Sequence, residues 1–330
     1  MQAALHGDDI ETCGFEVRYN FSSNVGPAPN VQALLQSSPL LSQYPQANKL
    51  KQKLCNKHSV AATQLLLCNG AAEAIYLLAQ YFRGKHSHII TPTFCEYELA
   101  CSANDHKLTY ANSVQPCDVL WLCNPNNPTG KCYEPEQMMQ WLTDRWLVID
   151  ESYGYQQPQL SIVGAVSDDE NLVIVRSLTK ELAIAGLRIG YILAPAPVIK
   201  ALQRLQPPWP VNSIALHCAE QLLDQPVQAC SSQWLQQQLA QIPGVTVHPS
   251  KLSYFVFTTP IAAPRLKQLL GQKFGTLVRD ASNIRGCSPY CVRVCSQGQE
   301  ADQYLVDSLT STLNSLSEET VEAPVEGVLQ

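Results

Sequence analysis

No stretch of this 330-residue chain approaches the ~18 consecutive apolar residues of a membrane-crossing helix. Its first residues also lack the basic-then-apolar pattern of a secretory signal. The two absences together lead us to expect a soluble, cytoplasmic protein with no membrane partner. There is no Lys/Arg-rich run, and the net charge of −6 is spread over the whole length, which argues against nucleic acid as a partner. Paired C-x-x-C motifs are missing although the chain holds 13 cysteines. Cys287, Cys291 and Cys295 have no matching His pair, so neither a metal site nor a disulfide framework is expected. In an unexported protein such thiols serve as small, partly buried hydrophobes. No Gly-x-Gly-x-x-Gly follows the first apolar strand, which removes the dinucleotide-binding reading. Internal repeats are absent too. What is present is a 45% hydrophobic composition, enough for one large domain or a large and a small one.

From about residue 60 to 220, apolar strand-like runs alternate with helical patterns. Leu65–Leu67 ends at Cys68-Asn69-Gly70, and Ala71–Phe82 follows as a helix. His88–Thr91 reads as a short strand and Phe94–Asn104 as a helix. Val119–Cys123 is a strand that runs into the loop Asn124-Pro125-Asn126-Asn127-Pro128-Thr129-Gly130. Glu134–Asp144 is a helix, and Trp146–Ile149 is a strand with Asp150 at its carboxyl end. The alternation predicts an α/β fold, a mostly parallel sheet with helices on both faces. Downstream, Val227–Gln241, Ala263–Phe274 and Ala301–Leu313 look helical. Leu252–Thr258, Gly275–Arg279 and Tyr290–Cys295 look like strands. We therefore expect a large domain at 31–225 and a smaller α+β domain built from 1–30 and 226–316. Residues 317–330 carry four glutamates without apolar periodicity and are expected to form a disordered tail.

The segment Val173–Val175, Ser177, Thr179, Lys180, Gly186, Arg188, Gly190 carries the most chemistry. A lysine at the end of a buried strand, flanked by hydroxyls and followed by an arginine, is poorly explained as a solvated surface charge. It suits an amine that forms a Schiff base with pyridoxal phosphate. Ligands of open α/β sheets sit beyond the carboxyl ends of the strands, and four such ends here carry suitable groups. The turn Asn69-Gly70-Ala71-Ala72 opens a helix whose free N–H groups suit a phosphate. Ser177, Thr179 and Arg188 add hydroxyls and a planar fork for the same dianion. Asp150 can hold a pyridine nitrogen protonated, and Asn127 and Tyr153 can bond the phenolic oxygen of the ring. Singly, each has a plainer reading: a strand-end turn or metal site at Asp150-Glu151, turn chemistry in the Asn-Pro loop, a helix start at Gly70, an ion pair at Arg188. Their joint occurrence, in order and each at an expected strand end, favours the cofactor.

At these residues the chain resembles the fold-type I, aspartate-aminotransferase-like pyridoxal-phosphate enzymes. The motifs are Asn127-Pro128-Thr129-Gly130, Asp150-Glu151-Ser152-Tyr153 and Ser177-Leu178-Thr179-Lys180 with Gly186-Leu187-Arg188. The resemblance implies a three-layer large domain, with Lys180, Asp150 and Tyr153 as catalytic residues. It places Gly70, Ala71, Ala72, Asn127, Ser177, Thr179 and Arg188 around the cofactor, and Phe94 stacked on its ring. It also implies a homodimer with shared active sites, Tyr44 being lent to the cofactor phosphate of the neighbouring subunit.

Further segments are similar to the branch that holds histidinol-phosphate aminotransferases and the threonine-phosphate decarboxylases of cobalamin biosynthesis, most of all the latter. These are His6-Gly7, Asn20-Phe21-Ser22-Ser23-Asn24, Pro208-Trp209-Pro210-Val211-Asn212, Leu277-Val278-Arg279-Asp280 and Val292-Arg293-Val294. The branch acts on phosphorylated amines and amino acids, which implies a second phosphate site. Arg279 and His6 are the candidates for that site, and Arg293 for the α-carboxylate, with Ser22 and Asn24 as further substrate contacts. Arg285 competes for either arginine role. Asp8 and Asp9 put carboxylates beside the expected phosphate pocket, where they either face solvent or order an arginine. The expected reaction is decarboxylation of L-threonine O-3-phosphate, with transamination of histidinol phosphate as the alternative.

Overall fold

The computed structural model describes residues 6–36, 42–225 and 229–321. After a two-residue strand, β1 (Tyr19–Asn20), come seven strands: β2 (Leu65–Cys68), β3 (His86–Ile90), β4 (Lys107–Ala111), β5 (Val119–Cys123), β6 (Trp146–Asp150), β7 (Leu172–Ser177) and β8 (Gly190–Leu193). These form one sheet in the order β2-β8-β7-β6-β5-β3-β4. All neighbours from β7 to β4 pair in parallel, whereas β8 runs antiparallel to both β7 and β2. The expected mostly parallel α/β sheet is therefore the architecture found.

The strands of this sheet are apolar on both sides because both sides are covered. In β5, Val119, Trp121 and Cys123 join one core cluster while Leu120 and Leu122 join the other. Helices Gly70–Tyr81, Glu96–Ala103 and Ala196–Leu205 cover the first face, and Asn48–His58 and Ser213–Leu222 the second. The polar ends of β2, β3, β5, β6 and β7 all leave the same edge. Because β8 runs the other way, its first residue, Gly190, lies at that edge between Cys68 and Ser177.

The remaining strands are β9 (Thr246–His248), β10 (Tyr254–Thr258), β11 (Thr276–Leu277), β12 (Arg279–Asp280) and β13 (Cys291–Cys295). Four of them form an antiparallel sheet, β12-β13-β10-β9, while β11 pairs in parallel with β1. The single strand expected at 275–279 is thus two short pieces that serve different sheets. Phe255, Phe257, Val292, Val294, Leu266, Leu270 and Leu305 fill the core beside this sheet.

The chain divides into two compact units. The larger holds residues 25–229 and 284–286; the smaller holds 1–24, 230–283 and 287–330. Residues 25–30, 229 and 284–286, expected in the small domain, fall in the larger unit. The last helix runs from Gln299 to Val321, eight residues past the expected Leu313 and into the stretch expected to be a tail. The rest of that stretch, 322–330, lies outside the described residues. The helix expected at 227–241 is found at Gln233–Leu239, and residues 226–228 are not described. Among the described residues no helix is long and apolar enough to cross a membrane.

Candidate active site

In the larger unit, Lys180 sits in a single helical turn, Leu178–Glu181, that caps the carboxyl end of β7. Its side chain is half-buried, while Ser177 and Thr179 beside it are buried. Thr179, expected among the phosphate contacts, is committed elsewhere. Its hydroxyl donates to the Ile189 carbonyl at 3.1 Å and accepts the Ile189 N–H at 3.1 Å, and its own N–H also donates to Ile189. The single hydroxyl proton is therefore used, and Thr179 clasps the turn that carries Arg188.

Arg188 has a left-handed backbone, φ 54°, and its side chain is exposed. It lies over the start of helix Gly70–Tyr81: a Cβ built on Gly70 would stand 2.7 Å from the Arg188 guanidinium. Gly70 itself has φ +84°, a conformation that glycine adopts at little cost. On the other side, a Cβ on Gly190 would meet Ala71 N at 2.7 Å and Gly70 C at 2.9 Å. Two glycines thus bring an arginine, a strand end and a helix N-terminus together. Ala71 and Ala72 are half-buried in the first turn of that helix. Backbone N–H groups and a guanidinium converging on one point, with no room for side chains, are the donor set a phosphate needs.

Asp150 ends β6 and is 5% exposed. Each carboxylate oxygen is held: Oδ1 accepts the Ser152 N–H at 2.8 Å and Oδ2 accepts the Tyr97 hydroxyl at 2.8 Å. Burial pushes this carboxyl above its usual value, while the Ser152 and Tyr97 bonds and nearby Arg176 pull the other way. Tyr153 is buried, and Asn127 and Phe94 are half-buried, on the loops that follow β6, β5 and β3. Tyr44 is 68% exposed, its ring stacked on Trp209 with centroids 4.1 Å apart.

A buried ion pair adjoins this edge. Glu151 and Arg176 meet at 2.5 Å, and the Ser161 hydroxyl donates to Glu151 at 2.8 Å while accepting from Arg176 at 3.0 Å. Glu181 pairs with Lys57 at 2.5 Å, and His58 shares a 2.8 Å hydrogen bond with Tyr191. Motif reading picked out Glu151 only as the neighbour of Asp150, and it passed over Arg176, the one charge in the apolar run of β7.

In the smaller unit, Arg279 and Arg293 stand directly opposite each other on β12 and β13. They are 4% and 6% exposed. Arg279 donates to the Asp280 carbonyl and, at 2.9 Å, to the Asn283 side-chain oxygen; Arg293 donates to the Ser22 carbonyl at 2.6 Å. Gly7 rests on this pair, since a Cβ there would stand 2.5 Å from the Ser22 carbonyl oxygen and 2.9 Å from the Arg293 guanidinium. Ser22 and Asn24 are buried, whereas His6 is exposed. Asp8 accepts the Asn20 amide at 2.5 Å and Asp9 pairs with Lys267, so neither carboxylate orders an arginine. Arg285, the competing candidate, belongs to the larger unit. It grips Glu98 with two bonds of 2.9 and 2.7 Å and lies 4.2 Å from the centre of the Tyr110 ring.

Comparison with known proteins follows the same lines. Residues 19–309 match the family model "Aminotransferase class I and II". The threonine-phosphate decarboxylase of Salmonella typhimurium is 29% identical over 90% of this chain and 92% of its own. A histidinol-phosphate aminotransferase of Thermoanaerobacter sp. is 28% identical over 92% and 96%. The crystal structure of L-threonine-O-3-phosphate decarboxylase from Porphyromonas gingivalis superposes with a TM-score of 0.84 at 30% identity, covering 89% of this chain and 99% of that one.

Proposed function

The chain belongs to the class I and II aminotransferase family, whose members depend on pyridoxal phosphate, and from that premise we propose that it decarboxylates L-threonine O-3-phosphate. The products would be (R)-1-amino-2-propanol O-2-phosphate and CO2, a step of cobalamin biosynthesis. The observation that carries this reading is the facing pair Arg279 and Arg293. Two guanidinium groups at paired strand positions, both buried, present cationic donors from one face of the sheet. A ligand with two anionic groups, a carboxylate and a phosphate, matches such a donor pair.

The larger unit fits the cofactor. The glycine-lined start of helix Gly70–Tyr81, with Ser177 and Arg188, would hold its phosphate. Asp150 would keep its pyridine nitrogen protonated, Asn127 and Tyr153 would bond its phenolic oxygen, and Phe94 would stack on its ring. When bound, the cofactor withdraws electrons from whichever Cα bond of the substrate stands perpendicular to its ring. This chain's residues decide which bond that is. Arg293 would hold the carboxylate, and Arg279 with His6 the substrate phosphate, with Ser22 and Asn24 shaping the remaining contacts. Lys180 Nζ would hold the cofactor when no substrate is bound, and would supply the proton that Cα takes up where CO2 has left. The net change is one carboxylate exchanged for one proton. We further assign a cytoplasmic homodimer, in which exposed Tyr44 reaches the cofactor phosphate of the second copy.

Histidinol-phosphate transamination is the second reading, favoured by a relative of nearly equal identity. A substrate comparison separates the two. With L-threonine O-3-phosphate and no keto acid, phosphorus NMR should show full conversion to the aminopropanol phosphate. Turnover of histidinol phosphate with 2-oxoglutarate alone would remove the first reading.

A further inference from the structure

We propose that Tyr97 is a positioning residue that keeps Asp150 ionised and aimed, which rests on the reading of Asp150 as the partner of the cofactor's pyridine nitrogen. Tyr97 lies on helix Glu96–Ala103, is 1% exposed, and donates its hydroxyl to Asp150 Oδ2 at 2.8 Å. The ring is fixed from two sides. It stacks on Trp121 at 5.9 Å and 25°, and meets Phe94 edge-on at 5.9 Å and 83°. Trp121 is anchored in turn, its indole N–H donating to the Ser87 hydroxyl at 3.1 Å. A phenylalanine would fill the same space, so packing alone gives no reason for the hydroxyl. A buried hydroxyl costs free energy unless it is bonded, and here the bond goes to a carboxylate.

The environment of Asp150 shows what that bond does. The groups facing it are Tyr97 from the helix, Cys123 from β5, Arg176 from β7 and Ser152 from its own loop. Burial favours the neutral acid, and a neutral acid cannot hold a pyridine nitrogen protonated. A donor to the ionised form opposes this. Ser152 addresses the carboxylate with both its hydroxyl and its N–H, the latter at Oδ1, and Tyr97 is the side chain that donates to Oδ2. Burial and the neighbouring carboxylate raise the phenol well above its usual value, so it stays a donor. Tyr97 lies three positions after Phe94, so one turn of chain addresses both the face of the expected ring and the partner of its nitrogen.

The test is the affinity of the apoprotein for pyridoxal phosphate, measured by absorbance titration from acid to neutral pH. Tyr97→Phe should bind the cofactor about tenfold more weakly near neutral pH. The pH at which affinity falls away should move upward, because Asp150 takes up its proton earlier. Asp150→Asn should weaken binding at every pH without that midpoint. If Tyr97→Phe does not fold, 3-fluorotyrosine placed at position 97 keeps the ring and makes the phenol a stronger donor, so the midpoint should move downward. An affinity within twofold of the parent with an unmoved midpoint overturns the role of Tyr97 while leaving the cofactor reading intact. A parent protein that takes up no cofactor overturns both.

Discussion

Arg279 and Arg293 occupy paired positions on adjacent antiparallel strands, both almost fully buried. Side chains so placed have Cβ atoms roughly 5 Å apart and rise from the same face of the sheet. Under the proposed function this face of the sheet is where the two anionic groups of the substrate would be held.

Anion linkage follows directly. Inorganic phosphate should raise the melting temperature of the parent protein in a concentration-dependent way, as any ligand of the native state does. In protein saturated with pyridoxal phosphate, so that the cradle at Gly70 and Arg188 is filled, Arg279→Met should remove most of that rise. It should also cost the ligand-free protein about 1–3 kcal/mol, because the Asn283 and Asp280 oxygens lose their donor, and raise the KM for the phosphorylated amino acid at least tenfold. Calorimetry with and without phosphate checks the first two points, and steady-state kinetics the third.

Gly190→Ala should damage the larger unit through its backbone. The added methyl would stand 2.7 Å from Ala71 N and from Arg176 O, neither of which belongs to a flexible side chain. A destabilisation of about 1–3 kcal/mol is expected, with weaker cofactor binding because the start of helix Gly70–Tyr81 must shift. Urea unfolding and cofactor titration report the two effects separately.

Glu151→Gln should cost about 3 kcal/mol, because it leaves Arg176 buried without its counter-charge. Equilibrium unfolding of the variant measures this. A loss under 1 kcal/mol would mean that Ser161 and the remaining neighbours satisfy the guanidinium alone.

His58 makes the fold acid-sensitive. Burial, with Arg176 and Lys57 nearby, lowers its imidazole from 6.5 to about 4. Between those values the unfolded chain binds a proton that the folded chain refuses, so stability falls as pH falls. The contribution lost between pH 7 and 5 is about 1–2 kcal/mol. His58→Gln should show a correspondingly shallower decline in unfolding free energy over that range.

The parts of this fold that the sequence disclosed share a cause. Strands β2, β5, β6 and β7 are buried on both faces and so read as unbroken apolar runs, and Asn69, Asn124, Asp150 and Ser177 mark their ends. Strand β4 escaped because it is an edge strand, Lys-Leu-Thr-Tyr-Ala, with no fully buried side chain and hence no apolar run. The reversed direction of β8 was invisible because burial, not direction, determines its composition. The split of residues 276–280 between two sheets depends on partners far along the chain, Tyr19–Asn20 and Val292–Arg293. Within the site, residue type pointed to Thr179 as a phosphate contact, but its hydroxyl is taken by Ile189. Residue type alone also passed over Tyr97, since only the packing of its helix against β5 and β6 brings a phenol to Asp150.

The most direct test of the account follows the fate of the carboxylate. The purified protein, loaded with pyridoxal phosphate, is given L-threonine O-3-phosphate labelled in its carboxyl carbon, without keto acid, and the released gas is counted. The account predicts one labelled CO2 per aminopropanol phosphate formed, and none from Lys180→Ala. Label retained in the amino acid, with glutamate appearing only when histidinol phosphate and 2-oxoglutarate are supplied, would contradict it.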